Sequence, residues 1–163
     1  MQRTMPVGSA ASMSTGSVDP WRTSRWMRYV CAMFKGAPVP VLRIFDLEKA
    51  LEFYVGFLGF SEVFRHQFGP DAPHYVGLAH EGVSIHLSEH FGDATPGTHF
   101  RIEVADVGAL CSRLNAKQYR HSRPGFLDQE WGNREMTIGD PFGNRVTFWQ
   151  VLPKGGRDVG PSP

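Results

Sequence analysis

The sequence predicts an α+β fold of two βαβββ modules in tandem, which form cupped mixed sheets that are each backed by a helix. Three observations support this prediction. The chain has 163 residues, of which 41% are hydrophobic, and this is enough for one domain with a core. A helical stripe that starts at Asp46 is followed by three strand-like runs, and the same order returns from Asp106. An internal repeat of this kind indicates two copies of one structural unit.

The first module opens with a strand over 39–44, where Pro38 and Pro40 restrict its pairing. Asp46 is a good N-cap for the helix that follows, and Gly59 is a typical C-terminal stop. Strand-like runs cover 60–68, 73–80 and 82–89, with turn residues between them. Apolar residues recur along the predicted helix at i, i+3, i+4, i+7, i+8 and i+11, namely Leu47, Ala50, Leu51, Tyr54, Val55 and Leu58.

The second module repeats this order, with a strand over 98–104 and Asp106 as the second N-cap. A loop over 117–125 and the segment QEWG (129–132) precede two strands, 134–140 and 143–151, which flank the turn Asp140–Asn144. A weaker apolar stripe follows the cap at Val107, Leu110, Cys111 and Leu114, which predicts a buried thiol at Cys111.

Composition sets the domain boundaries and excludes several classes of function. We expect residues 1–36 to be a disordered or loosely packed extension, 38–151 the domain, and 152–163 a flexible tail. The net charge of +1 argues against a nucleic-acid partner, and the lack of a long apolar run argues against a membrane partner, so we expect a cytoplasmic protein. Residues 38–151 carry a net charge of −4, which favours a cationic ligand if the acids surround a pocket; the alternative is an ordinary soluble surface.

The motifs resemble one superfamily over residues 38–151. The segments 41–50, 53–54 and 58–60, together with Asp140-Pro141-Phe142-Gly143-Asn144, are similar to the vicinal oxygen chelate, or glyoxalase/bleomycin-resistance, superfamily. The segments 38–42 and 129–135 are most similar to bleomycin-resistance proteins. This resemblance implies a homodimer that sequesters a cationic glycopeptide drug, or a similar small ligand, in a cleft between subunits without chemistry.

Enzymes of the superfamily hold a metal on the first and last strands of each module. The repeat places the equivalent positions at Val39, His86, His99 and Thr147. Because valine cannot ligate a metal and threonine is a poor neutral ligand, the set is incomplete for a catalytic site of about three protein ligands. We therefore expect neither a metal nor another cofactor, and we expect His86 and His99 to line a polar cleft or face solvent.

The resemblance also implies which residues bind the ligand. Trp131 matches the family's stacking tryptophan, and Phe68 lies near its aromatic partner. Glu130 and Asp128 could add negative potential for a cation. The alternatives are that Trp131 anchors its loop and that Phe68 packs in the core.

Two other functions stay open at this point. One is a metal-dependent lyase, isomerase or thiol transferase of the glyoxalase kind. The other is a non-catalytic member with an unrelated ligand, since a fold alone does not determine function. The sequence has no Gly-x-Ser-x-Gly elbow and no phosphate-binding glycine loop, so catalysis of those kinds is not indicated.

Overall fold

The computed structural model describes residues 36–153, which contain two four-stranded mixed sheets. The first sheet has the order β1-β4-β3-β2, with β1 (Val41–Arg43), β2 (Ser61–Gln67), β3 (His74–His80) and β4 (Val83–Ser88). The second has the order β5-β8-β7-β6, with β5 (His99–Glu103), β6 (Leu127–Asp128), β7 (Asn133–Gly139) and β8 (Arg145–Val151). In each sheet the first strand is parallel to the last and the other pairs are antiparallel. The predicted pair of βαβββ modules is confirmed.

The predictions for the two ends of the chain concern residues that lie almost wholly outside the described range. These are the extension over 1–36 and the tail over 152–163. Within 36–153, the helices are too short or too polar to span a bilayer.

Both helices begin after an aspartate, as the repeat predicts. The Asp46 carboxylate accepts a hydrogen bond from the Lys49 amide at 3.0 Å, ahead of α1 (Leu47–Leu51). The Asp106 carboxylate accepts one from the Ala109 amide at 2.9 Å, ahead of α2 (Val107–Ala116). Each carboxylate therefore satisfies an amide that has no partner within its helix.

The first helix differs from the single α-helical stripe that the sequence predicts. After α1 the chain continues as a π-helical segment, Glu52–Phe57, in which every turn is wider. This geometry buries the consecutive rings of Phe53 and Tyr54, which meet edge-to-face at 5.0 Å. The Lys117 ammonium group donates to the carbonyl oxygens of Gly56 and Phe57 at 3.0 and 2.7 Å, which stabilises the end of the segment.

The core lies on one face of each sheet, and alternate strand residues point to the opposite face, which we call the open face. On the core face, the strands supply Val76, Leu78, Ile85, Leu87, Met136, Ile138, Val146 and Phe148, and these join the buried residues of the helices. Cys111 is buried in this core, as predicted, and its thiol contacts the carbonyl oxygen of Pro124. The open faces carry the candidate functional residues.

The register of the two sheets agrees with the repeat. Val41 pairs with His86 in the first sheet, and Arg101 pairs with Thr147 in the second. Equivalent positions are thus separated by 60 and 61 residues, the same separations that the sequence predicts for His99 after Val39 and for Thr147 after His86.

The turn Asp140–Asn144 joins the two modules. Asp140 accepts hydrogen bonds from the amides of Phe142 and Asn144, at 2.9 and 2.7 Å, and from the buried Tyr54 hydroxyl at 2.8 Å. The Asn144 side-chain amide donates to the carbonyl oxygen of Arg43 at 2.9 Å. Burial and the Asp140 carboxylate raise the pKa of Tyr54, so its hydroxyl stays a donor. The motif that identifies the superfamily therefore has a structural role here.

Candidate ligand-binding site

The open face of the first sheet forms a cleft of about 420 Å³ that is mainly aromatic. Phe64 and His66 project from β2, Tyr75 from β3, and Phe68 from just beyond β2. The loop after β4 closes the cleft with His90 and Asp93. The residues that line the cleft are Phe64, His66, Phe68, Tyr75, His90 and Asp93. Five flat rings and a carboxylate suit a ligand with a planar part and a positive charge.

Phe68 lies in this cleft and not in the core. Its side chain is 77% exposed. The ring meets His66 edge-to-face at 4.4 Å and His90 at 5.6 Å, so imidazole groups support it from both sides. An exposed ring held in this way can offer its face to a ligand.

His86 lies beside the cleft and is fixed by one of its lining residues. Its Nδ1 atom is 2.9 Å from the Tyr75 hydroxyl, and its ring meets Phe64 edge-to-face at 5.2 Å. Burial, and then the negative charge of Asp93, raise the pKa of Tyr75. Asp93 accepts a hydrogen bond from the buried Ser88 hydroxyl at 2.6 Å, which orients the carboxylate.

Sequence reasoning missed most of this cleft. It identified Phe68 but left His66 and His90 as scattered histidines and did not single out Phe64, Tyr75 or Asp93. A signal was present in β2, where Phe64, His66 and Phe68 alternate and so share one face. The contribution of β3 and of the loop after β4 depends on strand order, which local spacing does not show.

Trp131 lies on the second sheet, at the turn between β6 and β7. The segment 129–132, which was predicted to precede the final strands, forms this turn. The Gln129 amide donates to Asn133 at 2.7 Å, and Gly132 takes a φ of +88° that favours glycine. The Leu152 amide donates to Gly132 at 2.8 Å and fixes the turn to the end of β8.

The Trp131 side chain is 66% exposed, so it is not a buried anchor of its loop. Its indole N–H donates to Oε1 of Glu135 at 3.1 Å. The Arg101 guanidinium group donates to the same oxygen at 2.5 Å and lies 5.7 Å from the centre of the Trp149 ring. Trp131 is not among the residues that line the Phe68 cleft.

The two candidate carboxylates near Trp131 have different surroundings. Asp128 receives two hydrogen bonds from Arg134, at 2.6 and 3.0 Å, so a cation already matches its charge. Glu130 is exposed in the turn beside Trp131. Of these two, Glu130 is the carboxylate that is better placed to attract a cationic ligand.

The positions equivalent to the superfamily's metal ligands do not fit a divalent metal. Nε2 of His99 is 2.8 Å from the Thr147 hydroxyl, which also lies 2.7 Å from the Thr137 hydroxyl. Val39 offers no donor atom. Among residues 36–153, no three His, Cys, Asp or Glu side chains are grouped closely enough to hold a metal ion. We therefore derive no metal-dependent step.

Comparison with known proteins agrees with the fold and the site. A family model described as "Glyoxalase superfamily protein" matches residues 28–154, and the chain belongs to this superfamily. A bleomycin resistance protein of Geobacillus stearothermophilus is 26% identical over 132 residues, which cover 70% of this chain and 96% of that protein. Staphylococcus aureus proteins of the same name match equally well.

Two solved structures extend this likeness. A glyoxalase/bleomycin resistance protein from Streptomyces sp. CB03234 is 25% identical, with a TM-score of 0.51 over 69% of this chain and all of that one. A bleomycin-binding protein solved in complex with bleomycin has a TM-score of 0.55 at 19% identity, over 71% of this chain and 98% of that one. The second similarity concerns the fold alone.

Proposed function

We propose that this protein binds a flat, cationic drug of the bleomycin type and sequesters it without chemical change. The observation that carries the proposal is the pair of exposed aromatic side chains, Phe68 and Trp131, each held in place on the open face of a different sheet. Stacking between such rings suits a planar drug tail. The relatives named for bleomycin resistance support the same ligand class.

The proposal includes a homodimer with the ligand in clefts between subunits. Phe68 and Trp131 lie on separate sheets, and Trp131 does not line the cleft that holds Phe68. A second copy of the chain would bring the Trp131 surface of one protomer to the Phe68 cleft of its partner. Two such clefts would form in each dimer, with one ligand per chain.

The direct test is a calorimetric titration of the purified full-length chain with bleomycin. We expect saturable binding near one drug per chain, unchanged by EDTA, since no metal takes part. Trp131→Ala should weaken binding about tenfold to a hundredfold, which corresponds to the loss of an aromatic contact of about 1–3 kcal/mol. Trp131→Phe should keep much of the affinity because stacking needs a ring.

Thermal stability is the control for these variants. If Trp131 acts on the ligand, Trp131→Ala should bind weakly and melt near the wild-type temperature. Absence of bleomycin binding by the wild type would overturn the proposed ligand. Methylglyoxal–glutathione turnover with stoichiometric metal would replace binding with catalysis.

A further inference from the structure

An exposed tryptophan at the tip of a hairpin normally samples several rotamers. Ordering such a side chain on binding costs about 0.5–1.5 kcal/mol. Trp131 is two-thirds exposed, yet its only hydrogen-bond donor already has a partner in the Glu135 carboxylate, at 3.1 Å. The ring therefore has a preferred orientation before any ligand arrives.

Glu135 is itself held in place. Its side chain is only 10% exposed, although it lies on the open face of β7. Arg101 on β5 donates to the same oxygen that accepts from Trp131, and the Arg101 guanidinium group lies over the Trp149 ring. Glu135 also pairs directly with Trp149 across β7 and β8. One carboxylate oxygen thus connects three strands to the exposed indole.

We infer that Glu135 is a positioning residue that presets the Trp131 ring for stacking on the ligand. This inference rests on the proposed function and deepens it. Because Arg101 matches the charge of Glu135, these two side chains add no net charge beside Trp131. The part of the ligand that lies on Trp131 is therefore flat and uncharged, and its cationic part lies elsewhere, toward carboxylates such as Asp93 or Glu130.

The test compares Glu135→Ala with Glu135→Gln and with Glu103→Ala. The amide oxygen of glutamine can still accept from the indole, whereas alanine cannot. Glu103 is an exposed carboxylate of β5 that controls for the loss of one negative charge. Two readouts are needed: the indole ¹H–¹⁵N resonance of Trp131 without ligand, assigned by its loss in Trp131→Phe, and the dissociation constant for bleomycin.

We expect Glu135→Ala to move the indole resonance and to weaken bleomycin binding about threefold to tenfold. Glu135→Gln should stay closer to the wild type in both, and Glu103→Ala should match it. In a Trp131→Ala background, Glu135→Ala should have little further effect on affinity, because the residue acts through the indole. A merely structural role would instead lower affinity equally in both backgrounds.

The outcomes separate this inference from the proposed function. An unchanged indole resonance and unchanged affinity in Glu135→Ala would overturn the positioning role, even if the wild type binds bleomycin. If the wild type does not bind the drug, the proposed function fails. An indole resonance that moves in Glu135→Ala and returns in Glu135→Gln would still support Glu135 as the group that orients Trp131.

Discussion

Individual residues of the site differ in how far the sequence could predict them. Trp131 and Phe68 could be identified because they lie in or near motifs of the superfamily. Glu135 could not, although it lies only four residues from Trp131, because the contact depends on a hairpin that turns the chain back on itself. Asp128 shows the opposite limit, since the sequence gives its charge but not the Arg134 guanidinium group that matches it.

Gly77 shows how one missing side chain shapes the cleft. A Cβ atom at this position would lie 2.1 Å from the Phe64 ring, so Gly77→Ala must displace the ring. Because Phe64 is 42% exposed, the ring can swing away with a moderate loss of stability, about 1–3 kcal/mol. We expect bleomycin affinity to fall about tenfold, as measured by calorimetric titration.

Gly82→Ala provides a matched control for this substitution. It has open space around the new methyl group but a φ of +84°, so it should lose stability through backbone strain. Its affinity in the folded protein should stay that of the wild type. Equal affinities for Gly77→Ala and Gly82→Ala would contradict a role for the Phe64 ring in the cleft.

The Glu135 carboxylate should also make stability depend on pH. Burial raises the pKa of Glu135, but hydrogen bonds from Arg101 and Trp131 outweigh it and hold the pKa below its ordinary value. The folded state therefore favours the ionised form, so this contribution is present above about pH 4.3, the ordinary pKa of glutamate, and is lost as the pH falls through the lowered pKa.

Urea denaturation of the wild type and Glu135→Gln checks this expectation. Near pH 7 the wild type should be more stable by about 1 kcal/mol, which is typical of a charge-assisted hydrogen bond. The difference should shrink between about pH 5 and pH 3, because glutamine does not titrate. A difference that stays constant over this range would argue against an ionised Glu135 in the fold.

At the scale of elements, the sequence predicts the order and type of the helices and strands but not their details. Caps and periodicity predict α1, α2 and their starts, because those signals are local. The π-helical segment is not predicted, since its wider turn follows from rings that pack against the other module. β6 is only two residues long, and its pairing with β7 depends on the turn that holds Trp131.

The turn Asp140–Asn144 and the first helix should stabilise each other. Tyr54→Phe removes the 2.8 Å hydrogen bond to Asp140 and leaves a carboxylate oxygen with one fewer partner. We expect a loss of about 1–3 kcal/mol in the free energy of unfolding, measured by chemical denaturation. Bleomycin affinity should not change, because Tyr54 is buried in the core, away from the open faces. An unfolding free energy equal to that of the wild type would show that the bond does not couple the modules.

At the scale of the whole molecule, the first sheet ends in a strand that the rest of the described chain leaves largely uncovered. Six of the seven residues of β2 are exposed. Val63 is 65% exposed and Phe68, just beyond the strand, 77%. Exposed apolar side chains grouped at a sheet edge indicate a surface that binds a partner or a ligand. The sequence predicts two such sheets from its repeat, but which residues stay uncovered follows only from the tertiary structure.

These uncovered faces predict how assembly and binding should depend on each other. In sedimentation velocity at micromolar concentration, the chain should behave as a species of twice its 18.2 kDa mass. If the cleft forms between subunits, bleomycin binds the dimer and not the monomer, so the drug should shift the equilibrium toward the dimer by mass action. Dilution below the dimer dissociation constant should in turn weaken the apparent drug affinity. A monomer that binds bleomycin with the same affinity at every protein concentration would place the whole site within one chain, and Phe68 and Trp131 would then act in separate places.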